Sequence, residues 1–104
     1  MNARTSKTER LSPEQFDRVA KALADPTRVA VLEVIGKEEV CACQRLREEF
    51  TVTKATISHH VKELVRAGLI EARRDGQFLQ CRVRGEVLRG YAAELLRRVT
   101  GDKG

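Results

Sequence analysis

Long apolar runs are missing from this chain of 104 residues. The longest, VAVLEVI, is interrupted by Glu33 and falls far short of the roughly 20 residues needed to span a bilayer. The first residues, MNARTSKTER, are polar and hold no apolar segment of a secretion signal. Cysteine is scarce: Cys41, Cys43 and Cys81 make an odd count with no spacing typical of a disulfide framework. Together these absences predict a cytoplasmic protein in a reducing setting, away from membranes. Histidine is scarcer still, with only His59 and His60. The C-terminal segment offers Glu86 and Glu94 without an imidazole, which disfavours a zinc or nickel site there. No nucleophile–base pair, phosphate-cradling glycine loop or paired-carboxylate centre is visible, so a non-enzyme is expected. Nothing repeats internally, and no segment is of low complexity.

What is there suits one domain, or one subunit of a small oligomer, with a modest core: 41% of residues are apolar and 34% charged. The net charge of +5 is uneven. Residues 1–52 hold nine Lys or Arg against nine Asp or Glu, whereas residues 53–104 hold eleven against six. An excess confined to one half fits a surface facing a polyanion, although a solvated helix face produces the same tally.

Local signals order the chain. Residues 1–10 lack periodicity and are expected to form a flexible arm, residues 11–100 the folded domain, and residues 101–104 a flexible tail. Ser12, Pro13 and Gln15 read as the start of a helix carrying Phe16, Val19, Ala20 and Leu23. Asp25-Pro26 ends it and caps a second helix bearing Val29, Leu32 and Ile35, which stops at Gly36. A third short helix is expected over about Val40 to Phe50, with Leu46 and Phe50 inward. Thr53 caps a fourth helix striped by Ile57, Val61, Leu64 and Val65 and ended by Gly68. The period then changes: Leu69–Arg74 and Gln77–Arg84 read as strands flanking an Asp75-Gly76 hairpin turn. A last helix carries Val87, Leu88, Tyr91, Leu95, Leu96 and Val99. The expected class is mainly α with a β-hairpin wing, a winged helix-turn-helix of order α-α-α-α-β-β-α. Apolar stripes on both terminal helices exceed what so short a chain needs, which predicts a two-fold homodimer.

The third and fourth helices, joined by a tight turn, have the form of a helix-turn-helix. Off the buried stripe of TKATISHHVKEL lie Lys54, Thr56, Ser58, His59 and Lys62, groups suited to phosphates and base edges. Arg73 and Arg74 precede the hairpin turn and Gln77 follows it, so the hairpin can track a nucleic-acid backbone. LADPTRVAVLEVI, VCACQRL and TKATISHHVKELVRAGLIEARRDGQFLQCRV resemble the ArsR/SmtB family of bacterial winged-helix repressors, over about residues 14–99. The resemblance implies a homodimer joined by its first and last helices and binding of double-stranded DNA at an imperfect palindrome in its own promoter. It also implies release by an inducer, and contacts to DNA from Thr53, Lys54, Thr56, Ser58 and His59, with His60 turned inward or toward phosphate. A winged-helix module for protein contacts is the alternative.

Family members that sense arsenite, antimonite, cadmium or lead carry C-x-C at the start of the third helix, where Cys41 and Cys43 fall. Soft thiolates suit such ions, and a helix start lowers a thiol's pKa. On an ideal helix, positions two apart point roughly 200° from each other, so a shared ion has to unwind the first turn. The sequence departs from the arsenite type at Leu46, where a third thiolate is expected, and its N-terminal arm has no cysteine. Glu38 and Glu39 also oppose a pair of thiolates. Three readings therefore stay open for Cys41 and Cys43: ligands of trivalent arsenic or antimony or another thiophilic ion, packing residues, or a redox pair. No cofactor is required. Cys81 shares strand parity with Leu79 and Val83 and is expected in the core of the wing, away from Cys41.

Overall fold

A computed structural model of the chain describes residues 8–101; the sequence's expected arm and tail fall largely outside them. The elements are α1 (Pro13–Leu23), α2 (Pro26–Gly36), β1 (Cys41–Ala42), α3 (Cys43–Glu49), α4 (Lys54–Arg66), β2 (Ile70–Asp75), β3 (Phe78–Val83) and α5 (Gly85–Thr100). No helix among the described residues is long and apolar enough to cross a membrane.

The predicted caps set the helix starts. Ser12 Oγ accepts from the Gln15 amide at 3.1 Å, Asp25 Oδ1 from Thr27 at 2.9 Å, and Thr53 Oγ1 from Thr56 at 3.1 Å. The third helix starts later than its periodicity predicts. Cys41 and Ala42 form a short strand antiparallel to β3, with Cys41 opposite Cys81 and Ala42 opposite Gln80. Backbone pairing to a waiting sheet edge outcompetes helix at these residues, and Ala42 has no side chain to cap the helix that follows. The sheet is therefore three-stranded, in the order β1-β3-β2. The hairpin turn is also displaced: Asp75 pairs with Phe78, so Gly76 and Gln77 form the two-residue loop. Gly76 alone has positive φ there (64°), as a type II′ turn requires of its first loop residue.

One core joins the layers. Val19 of α1, Val31 and Ile35 of α2, Leu46 of α3, Leu64 of α4, Cys41 and Cys81 of the sheet and Val87 of α5 are all fully buried in it. Helix α1 uses its stripe within the chain: Phe16 and Val19 are buried, and the Phe16 ring lies 4.8 Å from that of Tyr91 on α5. Apolar surface remains at the far end of α5, where Leu95, Leu96 and Val99 are exposed.

Gly90, buried on α5, marks a close approach that periodicity gives no sign of. The segment before α1 crosses it, held by the Glu9 amide donating to the Glu86 carbonyl at 2.9 Å and by Arg84 bonding Glu9 Oε1 at 2.7 Å. A Cβ at position 90 would overlap the Glu9 carbonyl oxygen. Gly90→Ala should therefore destabilise the full chain by about 1–3 kcal/mol in thermal or denaturant unfolding. In a chain lacking residues 1–11, which also removes the Leu11 Cδ1 that a Cβ would meet at 2.7 Å, the same change should be neutral or gain up to about 1 kcal/mol, because alanine is the better helix former. A penalty that survives the truncation would show that the crossing segment is not its cause.

Candidate nucleic-acid interface

Helix α4 buries Ile57, His60, Val61 and Leu64 and exposes Lys54, Ser58 and Lys62, which follow one another at four-residue spacing on the opposite face. His60 points inward, as one of its two expected orientations had it. Its Nδ1 accepts from Arg28 Nε at 3.4 Å, and Arg28 in turn reaches the Lys21 and Ala22 carbonyls and the Asp25 carboxylate that caps α2. This network fixes α4 against the α1–α2 corner.

Between α4, the start of α3 and the hairpin lies a groove of about 370 Å³. Lys54, Ser58 and Lys62 line it from α4, Gln44 and Arg47 from α3, and Arg74, Gln77 and Phe78 from the hairpin. The structure thus gathers five of the nine residues expected at DNA around one concavity. Thr53, Thr56, His59 and Arg73 lie outside the lining: Thr53, His59 and Arg73 are exposed, and Thr56 is half-buried. Thr53 Oγ1 stands 2.9 Å from Thr56 Oγ1 besides capping the helix, so these two hydroxyls are partly committed to each other. Arg47 was not foreseen, because nothing in its local pattern says which way α3 faces.

Four cations (Arg47, Lys54, Lys62 and Arg74) line the groove with no carboxylate among its lining residues. Among the described residues, neither these four nor Arg73 form an ion pair. Several cations elsewhere are matched: Arg82 with Glu71 at 2.6 Å, Arg45 with Glu38 at 2.6 Å, Arg66 with Glu63 at 3.0 Å, and Arg98 with Glu94 at 2.8 Å. The groove and the wing thus hold a cluster of cations that no ion pair neutralises among the described residues.

The thiols sit at one end of it. Cys43, half-buried, lines the groove, and its Sγ stands 3.3 Å from the Sγ of Cys81. The sequence expectation that Cys81 lies away from the C-x-C is corrected. Cys81 is fully buried as expected, but β1 pairs directly with β3 and brings the cysteines together. The helical geometry expected for Cys41 is also corrected, since Cys41 is a strand residue, fully buried, whose thiol donates to the Ala42 carbonyl at 3.5 Å. The hydrogen bond with Cys81 holds the Cys43 thiol below the ordinary range, with Arg47 adding to the effect. The same bond, with burial, pushes Cys81 up, and burial followed by Glu38 raises Cys41. Among the described residues, no three side chains of His, Cys, Asp or Glu form a metal-holding group.

A tight helix pair with a hairpin beside it defines a winged helix-turn-helix protein. Residues 23–73 match the family described as a helix-turn-helix domain. The chain is 31% identical over 91 residues to the arsenical resistance operon repressor of Bacillus subtilis, covering 86% of each chain. The chain belongs to the ArsR/SmtB family of winged helix-turn-helix regulators. It is also 36% identical over 66 residues to the arsenical resistance operon repressor of Staphylococcus xylosus, a match over 64% of this chain that spans only 62% of that repressor's length. Among solved structures, it is similar to the homodimeric winged helix-turn-helix DNA-binding domain of a Mycobacterium bovis protein, with a TM-score of 0.66 at 31% identity, covering 86% of this chain and 82% of that one.

The thiol geometry predicts graded reactivity. Cys43 should be alkylated by iodoacetamide well before Cys41 and Cys81 in the native protein, as peptide mass spectrometry would resolve. A thiol whose folded pKa is lowered is ionised, and reactive, at lower pH than an ordinary cysteine. Cys81→Ala removes the stabilising donor and should shift the Cys43 rate profile to higher pH. An unshifted profile would contradict the hydrogen bond as the cause.

Proposed function

We propose that this chain is a sequence-specific DNA-binding repressor, acting as a two-fold dimer on an imperfect palindrome in its own promoter and released by an inducer. The observation that carries this reading is the groove of four cations without a carboxylate between α4 and the wing. Cations without intramolecular partners can neutralise phosphates at no cost in broken ion pairs. Lys54, Thr56, Ser58, His59 and Lys62 then face base edges and flanking phosphates, Thr53 holds the helix start at the backbone, and Arg73, Arg74 and Gln77 follow the duplex from the wing. The exposed Leu95, Leu96 and Val99 of α5, continuous with the α1–α5 contact, supply the dimer surface.

The inducer in this reading is a thiophilic ion such as trivalent arsenic or antimony. The names of the Bacillus subtilis and Staphylococcus xylosus repressors support it. Cys41 and Cys43 are the ligands expected from the sequence, and Cys43 is the one exposed to the groove.

Replacing Lys54, Thr56 and His59 together by alanine should abolish specific binding in a mobility-shift assay, while sedimentation shows the dimer intact. Normal operator binding by the triple variant would sink the assignment of α4. Arg73→Ala with Arg74→Ala should weaken binding to all duplexes alike and lower the salt slope by about one to two units, as lost phosphate contacts do. A changed base preference at unchanged slope would contradict a backbone role for the wing.

A further inference from the structure

The thiols closest to forming a chelate are not the two that neighbour each other in sequence. Cys43 Sγ and Cys81 Sγ stand 3.3 Å apart, one at the first residue of α3 and the other in the wing strand β3. Two sulfurs bound to one soft ion at about 2.3 Å each, near a right angle, are held roughly 3.3 Å apart. We infer that Cys43 and Cys81 are the two protein ligands of the trivalent metalloid, and that Cys41 is a core residue. The inference rests on the inducer reading above and replaces its ligand pair.

Access and chemistry agree with this pairing. Cys43 lines the groove, so it is the group an incoming ion meets. Cys81 is closed to solvent but already within reach of Cys43, so the second bond forms intramolecularly. Cys41 is fully buried and has its thiol turned to the Ala42 carbonyl. With arsenous acid, two S–H and two As–OH bonds break and two As–S bonds form. Each thiol proton leaves with a hydroxide as water, and no electrons change hands. The third valence keeps its hydroxide, so a two-thiol site meets the ion's needs without a third protein ligand. The bound ion ties the start of the helix-turn-helix to the wing, the two parts that would have to grip one duplex together.

The test treats the reduced chain with phenylarsine oxide, whose arsenic bridges two thiols with loss of one water, followed by tryptic digestion. Cys41 and Cys43 share the fragment EEVCACQR, whereas Cys81 lies in DGQFLQCR. The expected product is the two fragments joined through one phenylarsenic group, and it should persist in Cys41→Ser. Arsenite affinity should fall by roughly a hundredfold in Cys43→Ser and in Cys81→Ala, with Cys41→Ser near wild type, because the second bond is the intramolecular one. The cross-link read on the wild-type chain does not depend on how well the variants fold. A bridge confined to EEVCACQR, or loss of the cross-link in Cys41→Ser, overturns the inference. Arsenite-driven DNA release measured on the same proteins separates the two claims. Release that requires Cys41 but not Cys81 would leave the inducer reading standing and this site wrong. A Cys43–Cys81 adduct on protein that stays on DNA would leave the site standing and the inducer reading wrong.

Discussion

The antiparallel pairing of Cys41 with Cys81 and of Ala42 with Gln80 is the contact that the rest of the molecule is arranged around. The strand is only two residues long, yet it docks the start of α3 on the outer edge of the hairpin and so fixes the helix-turn-helix relative to the wing. The groove between α4 and the hairpin exists because this seam sets their separation. The seam is also sheltered: both cysteines are fully buried, and Leu46 of α3 and Leu64 of α4 share their core.

Charge placement follows the same frame. Several carboxylates outside the groove are occupied by arginines one turn away or across a strand, as in Glu94 with Arg97 and Arg98 or Glu71 with Arg82. Such exposed pairs contribute little to stability. Their effect is to cancel charge at those positions, while the four cations of the groove stay uncancelled. The same seam that builds the groove places Cys43 at its end and Cys81 behind it, so a ligand on the thiols would act at the junction of helix and wing.

Much of this was legible in the sequence because it depended on local chemistry. Ser12, Asp25 and Thr53 cap their helices through side chains a few residues from their partners, and the Ile57–Leu64 stripe needs only helical periodicity. The features that were not legible depend on partners far along the chain. Residues 41 and 42 become strand because β3, some forty residues later, offers a free edge, and no propensity at VCAC signals that. The approach of Cys81 to Cys43 follows from this pairing, so reading the wing as remote from the C-x-C was wrong for the same reason. Gly90 looked like any helical glycine until the backbone at Glu9 crossed it. The shift of the turn from Asp75-Gly76 to Gly76-Gln77 is smaller: the glycine was located correctly, and the strand register decided which side of it closed the loop.

The central claim is that one surface, α4 with the wing, holds duplex DNA and that a metalloid on the adjoining thiols dislodges it. Footprinting of the promoter upstream of the chain's own gene, with and without arsenite, tests this most directly. The account predicts a two-fold symmetric protected region at low salt that disappears on addition of arsenite to the reduced protein. A footprint unchanged at saturating arsenite would contradict the proposed coupling of thiols to DNA, and absence of any protected region at low salt would contradict the DNA-binding surface itself.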